Sequence, residues 1–174
     1  MNNVNIKKQQ GVVLAVCLIL LLLLTVIGIT GMQSTSLEEK MAGNTNNLSL
    51  SFDAAESALR VGEQFINGLT INLVGAPVCA GSCDDHIYTL GQLDPADRTV
   101  WNPAQMTELD PGTINDVDAQ PMYYLEYEQF RPFSLNIGVP SIPGRASYRI
   151  SAHGVGGNNL ARTILQTQFI KEFN

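Results

Sequence analysis

The side chains with the most evident chemistry lie in the middle of the sequence. Cys79 and Cys83 bracket three small residues at 80–82, a spacing that favours a local disulfide in an oxidising compartment. A zinc site would need two further ligands, and the nearest candidates, Asp-Asp-His at 84–86, are too crowded in sequence to close a tetrahedron easily. We therefore predict a disulfide between Cys79 and Cys83 and no metal site.

Other groups capable of catalysis or ligand binding are few. The histidines are His86, in a loop, and His153, on the polar side of a predicted strand, and both are expected at the surface. Asp110, Asp116 and Asp118 carry oxygen atoms suited to calcium, but they match no loop with fixed ligand spacing. The sequence contains no G-x-S-x-G and no H-E-x-x-H motif. An anchored hydrolase is therefore disfavoured, and we predict no enzyme and no cofactor.

The charge of the chain argues against a nucleic-acid partner. The formal net charge is −6, with 10 Lys and Arg against 16 Asp and Glu. Lys7 and Lys8 precede an apolar N-terminal segment, so the remainder of the chain is more acidic still. Phosphate binding needs a basic surface, which this composition does not supply. At 174 residues, the chain has room for one modest domain besides the apolar segment.

The apolar segment covers residues 12–32 and contains no charged side chain. About 20 apolar residues form a helix long enough to cross a hydrocarbon core of about 30 Å. Because Lys7 and Lys8 stand just before it, the positive-inside tendency places the short end in the cytoplasm and the larger part outside. The segment exceeds the ~7–15-residue core of a signal peptide, and residues 29–31 are a poor cleavage site for signal peptidase. An ordinary uncleaved single-span anchor remains an alternative.

The helix is expected to continue beyond the membrane. Residues 35–42 contain helix formers and no turn residue, and a softer stretch follows at 43–47. Glu56 and Arg60 form an i,i+4 pair on the polar side of the next segment. One helix is therefore predicted over about 12–68. Its second part is amphipathic, because apolar positions recur every three or four residues, at Leu48, Phe52, Ala55, Leu59, Gly62, Ile66 and Leu69.

After the helix the hydrophobic period changes to two. Residues 122–128 alternate as a half-buried strand does. Residues 148–153 alternate in the same way, with Tyr148 on one side and His153 on the other. A glycine-rich connection at 154–159 leads to a further strand at 163–173, antiparallel to its predecessor.

These elements predict an α+β fold, a long N-terminal helix with an antiparallel β-sheet packed on its second half. The apolar stripe at Phe52, Leu59 and Ile66 must be covered, and the inner faces of the strands are the available cover. The segment between helix and sheet, about 75–120, is rich in Gly, Pro, Asp and Asn and has weak periodicity. Such irregular loops often carry a recognition surface.

The N-terminal 70 residues resemble the PilX-type minor pilins of the bacterial type IV pilus. The matching stretches are QQGVVLAVCLILLLLLTVIGITGM, STSLEEKMAGN and LSFDAAESALRVGE, with looser matches at YYLEYEQF, YRISAHGVGG and TILQTQF. By this resemblance Gly11 is the last residue of a leader removed by the prepilin peptidase, and Val12 becomes an N-methylated terminus. The resemblance implies a type IV pilin-like fold. Its parts would be a leader at 1–11, a membrane-spanning half-helix at 12–33, an amphipathic half at 34–70 and a head at 71–174.

The resemblance also implies the location and partners of the chain. The protein would sit in the bacterial inner membrane with its head in the periplasm, contact lipid and the inner-membrane assembly platform, and later join other minor pilins and the major pilin in the fibre. One position departs from the major-pilin pattern, since the fifth residue after the cleavage point is Val16 instead of Glu. In the family that Glu is thought to pair with the terminal ammonium of a neighbouring subunit, and Val16 makes no such pair.

The departure at Val16 supports two interpretations. The subunit either enters first, with no subunit above it, and primes the tip of the filament, or tolerates the loss and enters anywhere. Two other protein classes share the leader and helix pattern. A pseudopilin of a type II secretion system also includes a tip subunit without the Glu, although that subunit normally carries a larger added domain. A single-span protein that binds a periplasmic partner is the second.

Overall fold

The computed structural model describes residues 10–70, 87–110, 112–134 and 143–173. The chain divides into two compact units, Met1–Gly43 and Asn44–Asn174. From here on the head means the second unit, which includes the last part of the N-terminal helix as well as residues 71–174. The elements in chain order are α1 (Gln10–Gly68), β1 (Ile87–Thr89), β2 (Thr107–Glu108), β3 (Met122–Pro132), β4 (Gly144–Val155) and β5 (Arg162–Phe173).

Helix α1 begins at Gln10 and ends at Gly68, as the apolar run and the later three- and four-residue spacing predict. It contains no proline, and its leucines and alanines are strong helix formers. Interior glycines cost about 1 kcal/mol each, yet the helix is regular at Gly28, Gly31 and Gly43. The Thr25 hydroxyl donates a hydrogen bond to the Leu22 carbonyl at 2.8 Å, so this polar side chain is satisfied within the helix.

The sheet is mixed, with the strand order β1-β3-β4-β5. Strands β3, β4 and β5 are antiparallel neighbours, which confirms the predicted pairing of the last two strands. Strand β1 pairs with β3 in parallel, whereas the two-residue β2 pairs with β3 antiparallel. The short strands β1 and β2 come from the irregular segment, where weak periodicity gave no indication of them.

One face of the sheet packs on the part of α1 that belongs to the head. Tyr123 and Leu125 of β3 form this core with side chains from β4 and β5, and from the helix come Ala58 and Ile66, both 0% exposed. Leu59 is partly buried against the same cluster. The sheet-facing stripe of the helix therefore contains mostly small residues.

The predicted packing of Phe52 under the sheet is wrong, because its side chain is 46% exposed. Successive helical residues are rotated by about 100°, and Ser51, which is 0% exposed, occupies the sheet-facing position instead. Phe52 therefore lies on the flank of the helix. An apolar spacing of three or four residues defines a broad stripe and does not locate its centre.

The opposite face of the sheet is also covered, so the prediction of a half-buried strand at 122–128 is wrong for the first part of β3. Met122 and Tyr124 pack in a second cluster with Tyr88 and Met106, and Trp101 lies partly buried against it. The Trp101 indole N–H donates to the Pro95 carbonyl at 2.9 Å. The irregular segment before β3 thus acts as a second layer over one end of the sheet.

The expected surface location of His153 is wrong as well. Its ring is 5% exposed and stacks on Trp101, with 5.0 Å between the ring centroids. Burial lowers the pKa of His153 to about 4, and the positive charge of Arg162 adds to this effect. The ring is therefore a neutral part of the second cluster above that pH.

The glycines after His153 do not only connect β4 to β5, because two of them also lie in close contact with the backbone of α1. Gly154, one residue before the end of β4, lies against the helix. A Cβ built at this position would lie 2.2 Å from the Ser51 carbonyl oxygen and 2.4 Å from the Ala55 nitrogen. A Cβ at Gly156 would lie 2.4 Å from the Asn47 carbonyl oxygen. Only glycine permits backbone to approach backbone this closely.

Candidate functional site

The apolar part of α1 presents an extensive uncovered surface. From Val12 to Met32 its large apolar side chains are between 49% exposed, at Val16, and 77% exposed, at Met32. By length and composition, α1 from Val12 onward qualifies as a membrane span. A helix that is apolar on all sides is stable only in lipid or among other apolar helices. This surface is therefore the main candidate for anchoring and assembly.

The predicted processing junction lies at the beginning of this helix. Gly11 and Val12 both fall within α1, and the Val12 side chain is 68% exposed. Most of the predicted leader, residues 1–9, lies outside the described residues. Cleavage between Gly11 and Val12 would leave the apolar helix intact on the mature chain.

Val16 lies one turn into the helix that would begin at Val12. The first acidic residue of the sequence is Glu38, so the membrane-spanning half offers no carboxylate to the terminal ammonium of a neighbouring subunit. At position 16 the helix offers only an exposed aliphatic side chain.

In the head, two of the sequence stretches that carry the resemblance contact each other. Ala54, Ala55 and Ala58 of the AAESALR stretch are all 0% exposed, and the glycine of AHGVGG at 154 lies against them. The Ser51 and Thr163 hydroxyls share a hydrogen bond of 2.7 Å. The small residues of both motifs thus allow the helix and β4 to approach closely.

A further contact joins α1 to the turn after β4, near the start of the head. We call this region the helix–sheet junction. The Asn47 amide donates to the Asn158 side-chain oxygen at 2.7 Å. The Asp118 backbone N–H donates to the Gly156 carbonyl at 2.8 Å, which ties the irregular segment to the same turn. This junction was not predicted, although the four-residue spacing of Ala54, Ala58 and Gly62 is a signal of close helix contact.

The outer face of the sheet carries a polar network across β3, β4 and β5. The Arg149 guanidinium lies 3.1 Å from the Glu128 carboxylate and 4.0 Å from that of Glu126. The Gln168 amide also donates to Glu128. A shallow depression of ≈ 210 Å³ lies above these side chains. The network links three strands at a bulge in β3 between Tyr127 and Gln129.

Glu126 is the most buried charged group of this network, at 1% exposed. Burial raises the pKa of its carboxyl above the usual range, whereas the hydrogen bond from the Gly91 N–H, 2.7 Å long, opposes the increase. The carboxylate thus joins the loop that begins after β1 to the sheet. These contacts indicate a structural role for Glu126.

The aspartates considered as calcium ligands and the cysteines of the predicted disulfide form no site within the described residues. Within the described residues, no group of three or more His, Cys, Asp and Glu side chains is close enough to hold a metal ion. The side chain of Asp110 is exposed, as are those of Asp116 and Asp118. Cys79 and Cys83 lie outside the described residues.

Comparison with known proteins identifies the family. The PilX N-terminal family model matches residues 10–60, and the model for the C-terminal part of the type IV pilus assembly protein PilX matches residues 42–171. Searches of the curated proteins and of the solved structures each gave no match. The second family model alone covers well over half of the chain and includes the helix–sheet junction of the head. The apolar helix, the α+β head and these two matches together show that the chain belongs to the PilX family of type IV pilus minor pilins.

Proposed function

We propose that this minor pilin is cleaved between Gly11 and Val12, is N-methylated at Val12, and helps to prime pilus assembly from the inner membrane. It then lies at or near the tip of the pilus. Its partners are the prepilin peptidase, the assembly platform, the other minor pilins and the major pilin. The family assignment supports a structural subunit and not a catalytic one.

The membrane-anchored stage is supported by the uncovered apolar helix. Before assembly, lipid surrounds the side chains of residues 12–32, and afterwards the helices of other subunits replace it. Lys7 and Lys8 favour a cytoplasmic leader and a periplasmic head. An oxidising periplasm would also allow Cys79 and Cys83 to form a disulfide.

The observation that carries the tip proposal is the aliphatic residue at position 16. A subunit that joins beneath others would gain from a carboxylate near a neighbour's terminal ammonium, because an unpaired charge in lipid costs several kcal/mol. The first subunit has no neighbour above it, so a carboxylate there would be unpaired. Val16 avoids that cost.

The experiment is a Val16→Glu substitution at the native locus. A tip-priming subunit should either fail to initiate fibres, because the new carboxylate is unpaired, or become distributed along the shaft. A charged group costs about 3 kcal/mol at the centre of a membrane helix and less near its end, where residue 16 lies. About half of that cost corresponds to a tenfold change, so piliation should fall by about tenfold if initiation fails. The measurements are the yield of sheared fibres and the position of the labelled subunit on them.

Two control variants separate the effect of the added negative charge from the effect of its position in the helix. Val13→Glu adds the same carboxylate three residues earlier, where the family has no ion-pair partner, and should disturb insertion without redistributing the subunit. Val16→Ile keeps an aliphatic side chain and should behave as the wild type. Unchanged piliation together with an unchanged position in Val16→Glu would contradict the priming role.

Mass spectrometry of the mature chain separates the minor pilin from a plain single-span protein. Only a processed subunit begins at Val12, lacks both leader lysines and carries one added methyl group. A chain that keeps Lys7 and Lys8 would contradict the proposed processing. Recovery of the subunit with a secretion system, and not with sheared pili, would instead favour the pseudopilin alternative.

A further inference from the structure

The far end of the outer sheet face contains two arginines directly opposite each other. In the register of β3 and β4, Arg131 pairs with Arg145, and both side chains are exposed. Like charges at directly opposed positions destabilise a sheet. A fold that retains such a conflict is often using it for function.

Among the residues that the structure describes, only one of the two arginines has a carboxylate partner. The Arg145 guanidinium lies 2.6 Å from the Glu172 carboxylate on β5. Within the described residues, no carboxylate lies in salt-bridge range of Arg131. The charge of Arg131 is therefore not neutralised by a described carboxylate, although the formal net charge of the chain is −6.

Apolar surface is exposed next to these arginines. The Arg145 guanidinium lies 5.5 Å from the centroid of the Phe133 ring, and that ring is 52% exposed. Ile170, two residues before Glu172 on the same face of β5, is 58% exposed. We define Arg131, Phe133, Arg145, Ile170 and Glu172 as the arginine patch.

We propose that the arginine patch is a docking site for an acidic segment of a partner protein, with a carboxylate on Arg131 and apolar side chains against Phe133 and Ile170. The planar guanidinium of Arg131 has no carboxylate partner among the described residues, and such a group binds carboxylates through two parallel hydrogen bonds. The exposed aromatic ring and aliphatic side chain supply area that becomes buried on association. That the partner is another subunit of the pilus rests on the proposed function.

The charge distribution favours an acidic protein segment over a nucleic acid. A long polyanion would approach the whole head, whose acidic side chains repel it. A short acidic segment on a folded partner meets only the local excess of positive charge. The attraction acts over about 10 Å at 0.1 M salt, which suits a contact of this size.

The binding test uses the full chain in an uncharged detergent and labelled hexaglutamate as the probe, followed by fluorescence anisotropy at low salt. Arg131→Gln should weaken binding about fivefold or more, since one charge-assisted contact is lost. Arg98→Gln, which removes an exposed arginine elsewhere in the head, is the matched control and should change binding less than twofold. Hexalysine should not bind at the patch.

A stability measurement on the same variant provides an independent check. Removal of Arg131 relieves the opposed pair, so Arg131→Gln should raise Tm by about 1–3 °C at low salt. A purely structural arginine would lower Tm when replaced. The combination of weaker binding and higher stability is the signature of a residue kept for recognition.

Several results would overturn the inference. The inference is contradicted if hexaglutamate does not bind, or if it binds Arg131→Gln as strongly as the wild type. It is also contradicted if a labelled oligothymidylate binds more tightly than hexaglutamate, which would indicate a nucleic-acid ligand. In cells, Arg131→Glu should lower the amount of processed subunit recovered with sheared fibres at least fivefold. If the wild-type subunit is itself absent from fibres, the proposed function fails; if wild type and Arg131→Glu are recovered equally, only the docking site fails.

Discussion

The close contact between β4 and α1 predicts that Gly154→Ala will strongly destabilise the head. The added Cβ would lie 2.2 Å from the Ser51 carbonyl oxygen and 2.4 Å from the Ala55 nitrogen, whereas ordinary contacts are about 3.5 Å. Both obstacles are backbone atoms, so no side-chain rotation can relieve the clash. Helix and strand must move apart by roughly 1 Å.

The cost of that movement can be worked from the contacts it disturbs. Overpacking of this kind costs about 1–3 kcal/mol. The shift also strains the hydrogen bond between Ser51 and Thr163 and the one between Asn47 and Asn158, each worth about 1 kcal/mol. The expected loss is therefore about 3–5 kcal/mol, a large share of the ~5–15 kcal/mol typical of a folded domain.

Urea unfolding of the full chain in detergent measures this loss, with the fluorescence of Trp101 as the probe. Trp101 is the only tryptophan and lies against the second cluster of the head, so the signal reports on the head and not on the anchor. Gly68→Ala is the matched control, because a Cβ at Gly68 meets nothing within 4 Å. It should change stability by less than about 1 kcal/mol. A loss below about 1 kcal/mol in Gly154→Ala would refute the close contact.

Three further predictions concern the core, the buried histidine and the cysteines. Because the pKa of His153 falls from 6.5 in the unfolded chain to about 4 in the fold, its stabilising contribution is complete above about pH 6.5 and is lost as the pH falls toward 4. The loss should reach about 3 kcal/mol by urea unfolding, and His153→Phe should flatten that pH dependence. Ile66→Ala should lower the free energy of unfolding by about 2–5 kcal/mol, because Ile66 is 0% exposed. By the same assay Phe52→Ala should lower it by less than about 1 kcal/mol, because Phe52 is 46% exposed. Equal losses in the two variants would contradict the assignment of the buried side of the helix. A double replacement of Cys79 and Cys83 by serine should cost about 2 kcal/mol if they form a disulfide, and thiol labelling of both residues before reduction would show that they do not.

The sequence alone determined the elements whose signals are local. An uncharged apolar run at 12–32 is long enough for a membrane-spanning helix, and recurring apolar positions extend that helix to Gly68. The period-two pattern located β4 and β5, and their antiparallel pairing follows from the short glycine-rich connection between them. Each of these signals depends on residues within a few positions of one another, so it can be read without knowledge of the fold.

Only the tertiary structure decided which faces are buried and which side chains meet. Phe52 is exposed because the helix turns its alanines and glycine toward the sheet, and His153 is buried because the segment before β3 covers that end of the sheet. The opposition of Arg131 and Arg145 depends on the register of β3 and β4, which includes a bulge. These relations join residues far apart in sequence, and a one-residue change of register would move every side chain of a strand to the other face.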